Sequence, residues 1–311
     1  MRIKIPSIKH VRRPFRTPAI FVWLVFACWM VNAHAGPDTD QALFWSINKD
    51  GQTIGHLLGT IHSEDPRVLD FSDDLLRRLQ DSQVYAMEMV PDLPTLARLT
   101  EYMRLPAGHS LEAVIGAGRF ASLTNALSAY GVPSTFINRM KPWAAMMTLS
   151  TPPPITGFYM DLSLSLRASG SGLQVVGLET LEQQLSFLEN MPVDMQLSLL
   201  DQAIDEFDQV GEAHDQMVDA YLENNLADLQ SLSDEHLQEA GQEAKEYFMQ
   251  TGIHDRNRRM VESILPHLAD RTVFVAVGAL HLVGEDGLLA LLRQHGYELK
   301  PLALPFKKPQ G

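Results

Sequence analysis

Apolar residues in this chain follow two patterns: short dense runs bounded by turn residues, and longer stretches where they return every three or four positions. The runs predict strands and the stretches predict helices. Residues 43–48 (Leu-Phe-Trp-Ser-Ile-Asn) and 53–58 (Thr-Ile-Gly-His-Leu-Leu) flank Lys49-Asp50-Gly51-Gln52. An Asp-Gly pair between two apolar segments predicts a β-hairpin. Ser72, with Asp73 and Asp74 behind it, reads as the N-cap of a helix reaching about Gln80. The run 84–89 (Val-Tyr-Ala-Met-Glu-Met) follows as a strand with one acid near its end. Strand, helix, strand predicts a parallel pair joined by a right-handed crossover.

Residues 95–147 are mostly helical in pattern, broken at Pro106-Ala107-Gly108 and Gly131-Val132-Pro133, and Pro152-Pro153-Pro154 ends the stretch. A helix near 159–168 leads into the strand 173–177, followed at once by Leu178-Glu179-Thr180. Leu200, Ile204 and Phe207, then Met217, Val218, Tyr221 and Leu222, mark a helical insertion at about 190–250. A helix from about 255 to 265, stopped by Pro266, precedes Thr272-Val273-Phe274-Val275-Ala276-Val277, the most β-like run in the chain. A helix at 288–294 and a strand near 297–302 close the pattern. The predicted fold is α/β: a mostly parallel central sheet flanked by helices, with an N-terminal β-hairpin and a helical insertion, in one domain over 36–311.

The first 35 residues break this pattern. Six basic residues (Arg2, Lys4, Lys9, Arg12, Arg13, Arg16) precede an apolar run at 19–31, and Ala33-His34-Ala35 follows. That order is a secretory signal peptide with cleavage after Ala35, and 13 apolar residues fall short of the about 20 that span a bilayer. An uncleaved anchor fits less well, because the Ala-x-Ala cut and the short apolar core agree on cleavage; a lipoprotein at Cys28 fits less well still, because bulky Phe26 precedes Ala27 and the apolar run continues past the cysteine. The expected location is the periplasm or the exterior, with no stable membrane span after cleavage. Of 25 basic residues, 19 would remain against 38 acidic ones. A chain so acidic is not a bulk nucleic-acid binder. Cys28 is the only cysteine, so cleavage would leave none, and any metal site must be built from His, Asp and Glu. The 14 acidic residues between Asp201 and Glu246, against one basic Lys245, read as a solvated helical face; a surface recruiting a cationic partner is the alternative.

Four polar side chains fall where strands end. Gly59-Thr60-Ile61-His62 and Gly278-Ala279-Leu280-His281 share the word Gly-x-x-His, and Glu88 and Glu179 sit at the ends of two further runs. In an open parallel sheet the carboxyl ends of strands line one crevice, which is where ligands bind. Two histidines and one or two carboxylates there would make an ordinary shell for a divalent metal, whose bound water has a pKa lowered to about 7. A carboxylate not on the metal could act as general base. Glu88, between two methionines, must be paired, metal-bound or neutral; Glu179 could instead be a helix N-terminal residue favoured by the dipole. His56, inside a strand, packs or faces solvent. Arg256 and Asn257 lie one turn before the apolar Met260 and Val261, so both point inward. Arg256 there either binds a carboxylate or oxyanion in the crevice or pairs with an acid at the helix end; Asn257 would fix a substrate or a ligand side chain.

Taken with Lys141-Pro142-Trp143, the words Gly59–His62, Glu88, Gly177-Leu178-Glu179-Thr180, Arg256-Asn257 and Gly278-Ala279-Leu280-His281-Leu282 resemble the TraB/GumN family, related to the Tiki metalloproteases, over roughly 42–303. The resemblance implies a fold of the erythromycin-esterase/ChaN-like superfamily. It implies a divalent metal (Mn, Co or Zn) on His62, Glu88 and His281, Glu179 as base or further ligand, and Arg256 and Asn257 positioning a peptide or small-molecule substrate. Two departures are visible: Asp255 precedes Arg256 where relatives often carry Glu, and Tyr159-Met160 precedes Asp161 where Gly-Leu or Gly-Ile is usual. The leading expectation is a metal-dependent, peptidase-like hydrolase. The alternatives are a non-catalytic protein that sequesters a peptide, as in TraB pheromone shutdown, and an accessory factor in envelope polysaccharide assembly.

Overall fold

The structure, a computed structural model, describes residues 41–303 and 305–307. The signal-peptide reading lies outside the described residues. Six strands, β1 (Phe44–Lys49), β2 (Gln52–Thr60), β3 (Val84–Met87), β4 (Gln174–Gly177), β5 (Val273–Gly278) and β6 (Glu298–Pro301), form one sheet in the order β4-β3-β5-β2-β1-β6. The hairpin forms as read: Asp50 and Gly51 both take positive φ (51° and 78°), the backbone a tight two-residue turn between twisted strands requires.

The α/β fold is present, but the sheet is mixed. β4, β3, β5 and β2 pair parallel, whereas β1 pairs antiparallel with both β2 and β6. A short turn can join only antiparallel strands, so the hairpin fixes the direction of β1. The first crossover does not join neighbouring strands. β2 and β3 run parallel but are not neighbours, because β5 lies between them. β5 is buried at every position, and the most apolar run takes the centre, where both its faces are covered.

Helix Asp73–Gln80 starts at the expected cap, Ser72, whose side chain accepts from the Leu75 N–H. The helical part is larger than the predicted insertion. Residues 111–149 join 181–203 and 237–253 in an apolar core of their own, distinct from the core around the sheet. Within it Pro142 opens helix Pro142–Leu149, Trp143 is buried, and Lys141 reaches Glu189 at 2.7 Å, which gives Lys141-Pro142-Trp143 a packing role. The helix expected to stop at Pro266 continues to Leu268, with the proline inside its last turn. A π-helical segment, Phe248–His254, runs directly into it. Among the described residues no helix is long and apolar enough to cross a membrane.

Candidate functional site

The parallel strands deliver their ends to one edge. Beyond β3 and β4 the pairing continues, Leu178 N–H to Met87 C=O (2.8 Å) and Glu179 N–H to Glu88 C=O (2.9 Å), which carries the two glutamates side by side. β5 ends at Gly278, whose N–H donates to Glu88 Oε1 at 2.8 Å. The chain then folds into a short 3-10 turn, Ala279–His281, that buries His281 completely. The two glycines of the Gly-x-x-His words do not serve as sharp turns. Gly278 has an ordinary extended backbone (φ −49°, ψ 136°). Gly59 is needed for close approach, since a Cβ there would lie 2.7 Å from Leu282 Cδ1 and 2.9 Å from Ala279 Cα.

Helix Asp255–Leu268 supplies the cation. Arg256, fully buried, donates from Nε and Nη2 to Glu179 Oε2 (2.8 and 2.7 Å) and from Nη2 to Glu88 Oε2 (2.7 Å). Its fork is held by protein carboxylates, so of its two sequence readings, pairing with an acid is the one found. The buried Gln184 adds an N–H to Glu88 Oε2 (3.1 Å), and Arg259 Nη2 lies 3.4 Å from Glu179 Oε1. Burial alone would raise the pKa of Glu88, but the Arg256 charge and the donated N–H groups hold it below the usual carboxylate range. Burial likewise disfavours the guanidinium charge, and the two glutamates more than restore it. One buried cation thus bridges two carboxylates, the arrangement that lets charge persist inside a protein. Glu179 is placed as the partner of Arg256.

Asn257, the next residue, donates from Nδ2 to the Asp286 carbonyl (2.8 Å), so its Oδ1 faces His281 Nδ1 at 2.6 Å. That network assigns the proton to Nδ1 and leaves a lone pair on Nε2. Burial, assisted by Arg256 and opposed by Glu88, pulls the His281 pKa down to about 4, so the ring is neutral at neutral pH. Nε2 is buried, has no hydrogen-bond partner, and lies 3.8 Å from Glu88 Oε1. Two electron-pair donors therefore face each other across a gap. A neutral imidazole in this tautomer, oriented by a partner on its other nitrogen, opposite an ionised carboxylate, fits a divalent cation.

His62 is held by a different set of neighbours. Its ring stacks on Tyr159 (centroids 3.9 Å apart, 13° between planes), and Nδ1 lies 3.7 Å from Asp161 Oδ2. Asp161 is anchored in turn by the Thr60 hydroxyl at 2.6 Å. Among the described residues no group of three or more His, Cys, Asp or Glu side chains is placed to hold a metal, so the expected set His62, Glu88 and His281 is not gathered. Arg256 already sits on the carboxylates, and Asp161 and Tyr159 hold His62. His62 and Asp161 do share one cleft with Gly278, Ala279 and Leu280, the turn that leads to His281. On its other side His62 lines a cavity of about 290 Å³ with Tyr159, Pro152, Pro153 and His214. Gln184 and Asp161 were not singled out as site residues from the sequence. A signal for Gln184 existed: it is a polar residue on the buried stripe of Leu181, Leu185 and Leu188.

The family model described as TraB/PrgY/gumN matches residues 43–301. The chain is 24% identical to Metalloprotease TIKI1 of Danio rerio, over 88% of this chain and 66% of that protein. It is 25% identical to the Homo sapiens TIKI1, over 86% of this chain and 64% of that protein. Uncharacterized protein YbaP of Shigella flexneri is 26% identical over 79% of this chain and 90% of its own length. The chain thus spans about two thirds of its Tiki relatives and most of YbaP. No solved structure matches it significantly. The chain belongs to the TraB/PrgY/gumN family.

Proposed function

We propose that this chain is an exported hydrolase of peptide or amide bonds that works with a divalent cation at the carboxyl edge of the parallel strands. The observation that carries the reading is the buried, unpartnered Nε2 of His281 facing Glu88 Oε1. Similarity to metalloproteases over most of the chain supports it. His281 and Glu88 would hold the ion, and His62, across the cleft, is the remaining candidate donor. When bound, the ion would polarise the scissile carbonyl and make a coordinated water acidic. The protein's own part is orientation and charge. Asn257 holds the His281 ring with Nε2 outward. Arg256 keeps Glu88 ionised and fixes both carboxylates in place. Asp161 and Tyr159 hold His62 at the cleft, with 29% of its side chain exposed.

Two observations favour a second reading, a protein that sequesters a peptide without cutting it: both carboxylates are already paired with Arg256, and among the described residues three donors are not assembled. Incubation of the purified protein with a peptide library, with and without Mn²⁺, Co²⁺ or Zn²⁺, separates the two. The hydrolase reading expects cleavage that a chelator abolishes and that His281→Ala and His62→Ala each remove. Peptide retention without products, unchanged by chelator, overturns it in favour of sequestration.

A further inference from the structure

The Asn257–His281 hydrogen bond is itself held from outside the strand edge. Asn257 can present its oxygen to His281 only while its amide nitrogen has an acceptor, and that acceptor is the backbone carbonyl of Asp286. Asp286 sits in a tight turn after the second Gly-x-x-His word, closed by Gly287 N–H to Gly284 C=O (3.1 Å) and Leu289 N–H to Leu282 C=O (3.2 Å). The turn depends on its glycines. Gly284 takes φ +89°, and a Cβ on Gly287 would fall inside the van der Waals shells of the Val283 and Leu282 carbonyl oxygens. The Asp286 carboxylate then ties the turn to the segment that carries Asn257. Oδ1 accepts from Arg258 Nη2 at 3.0 Å, and Oδ2 lies 3.4 Å from His254 Nδ1. Residues 254, 257 and 258 thus grip one aspartate by its side chain and its backbone.

From this geometry we infer that Asp286 is a positioning residue, which fixes the tautomer and direction of His281 through Asn257. If the turn moves, the Asn257 amide loses its acceptor and is free to rotate. A rotated amide presents N–H₂ to His281, which stabilises the opposite tautomer and puts the proton on Nε2. The nitrogen facing Glu88 would then be a donor, with no lone pair for an ion. The inference rests on the reading of His281 as the central donor, but a tautomer can be measured whether or not the chain is a hydrolase. Removing a partner that orients a metal ligand's far nitrogen typically costs about 10- to 100-fold in metal affinity or activity.

Long-range ¹H–¹⁵N spectra of the purified chain labelled at histidine nitrogens test it, with the His281 signals assigned by their absence in His281→Asn. The expected wild-type result is a proton on Nδ1 alone. Asp286→Ala, and independently Gly287→Ala, should shift the His281 proton from Nδ1 towards Nε2, which lowers the ratio of Nδ1–H to Nε2–H forms, with the far-UV circular dichroism unchanged. Asp286 side-chain exposure of 34% makes its truncation compatible with folding. A proton already on Nε2 in the wild type, or an unchanged ratio in both folded variants, overturns the inference. Tautomer loss in the variants without peptide cleavage by the wild type would leave the clamp standing and remove only the hydrolase reading.

Discussion

Individual carboxylates in this protein are governed by what surrounds them more than by their place in the sequence. Glu88 is buried with a cation beside it and stays ionised, whereas Glu206 is half-buried, with Oε2 lacking any hydrogen-bond partner. Burial raises the Glu206 pKa to about 8, with Glu239 and Asp205 adding repulsion and Gln202 opposing the rise. The folded state therefore binds this proton more tightly than the unfolded chain, so the residue's contribution to stability is full below about pH 4.5 and is lost as pH climbs through 8. Glu206→Gln should melt with the wild type at pH 4.5 and above it at pH 9, as followed by circular dichroism; equal melting temperatures at pH 9 would refute the assignment. Glu88 was legible in the sequence as a carboxylate that needed a partner, because it interrupts an apolar run. Its partner was not named, since Arg256 lies 168 positions away and only the folded sheet edge brings the two together.

Elements were read well where the signal is local and poorly where it is not. The Asp50-Gly51 hairpin and the Ser72 cap are each written within a few residues, and both formed. The insertion of β5 between β2 and β3 joins segments more than 180 residues apart, so no window along the chain contains it. The π-helical segment before Arg256 was missed for a different reason: apolar spacing marks a helix but does not report how widely its backbone is wound. Gly59 shows the same gap, since its word was legible and its cause was not. The contact with Ala279 and Leu282 means that Gly59→Ala must push β2 away from the turn after β5. That overpacking should cost about 1–3 kcal/mol in urea denaturation. A loss under about 0.5 kcal/mol, the range of ordinary surface changes, would mean that the turn can yield.

Across the whole molecule, the ion cluster lies on the seam between the two apolar cores. Met87 and Leu178 belong to the sheet core, Met89 and Leu181 to the helical one, with Glu88 and Glu179 between them. The π-helical segment Phe248–His254 and helix Asp255–Leu268 together cross the same boundary: Ile253 is in one core, Met260 in the other, and Arg256 lies between. Removing one partner of such a buried pair costs about 3–5 kcal/mol, because charges of the other sign remain unbalanced. Arg256→Met should therefore lose stability on that scale and also uncouple the cores. Trp45 reports the sheet core and Trp143 the helical core, and Trp23 and Trp29 fall within the predicted signal peptide. In the chain starting at residue 36, single-tryptophan forms should unfold together in urea, and with Arg256→Met the Trp143 transition should come first. Coincident transitions in the variant would show that the apolar contacts alone join the cores.

Residues that sit on such a junction carry two duties at once. In a survey of variants scored by how much protein accumulates in the cell, changes at Glu88, Glu179 and Arg256 would be grouped with changes to interior leucines, whatever chemistry they serve. His62, open to solvent over 29% of its side chain, is the position where, on the hydrolase proposal, a variant that accumulates normally would expose a loss of chemistry by itself.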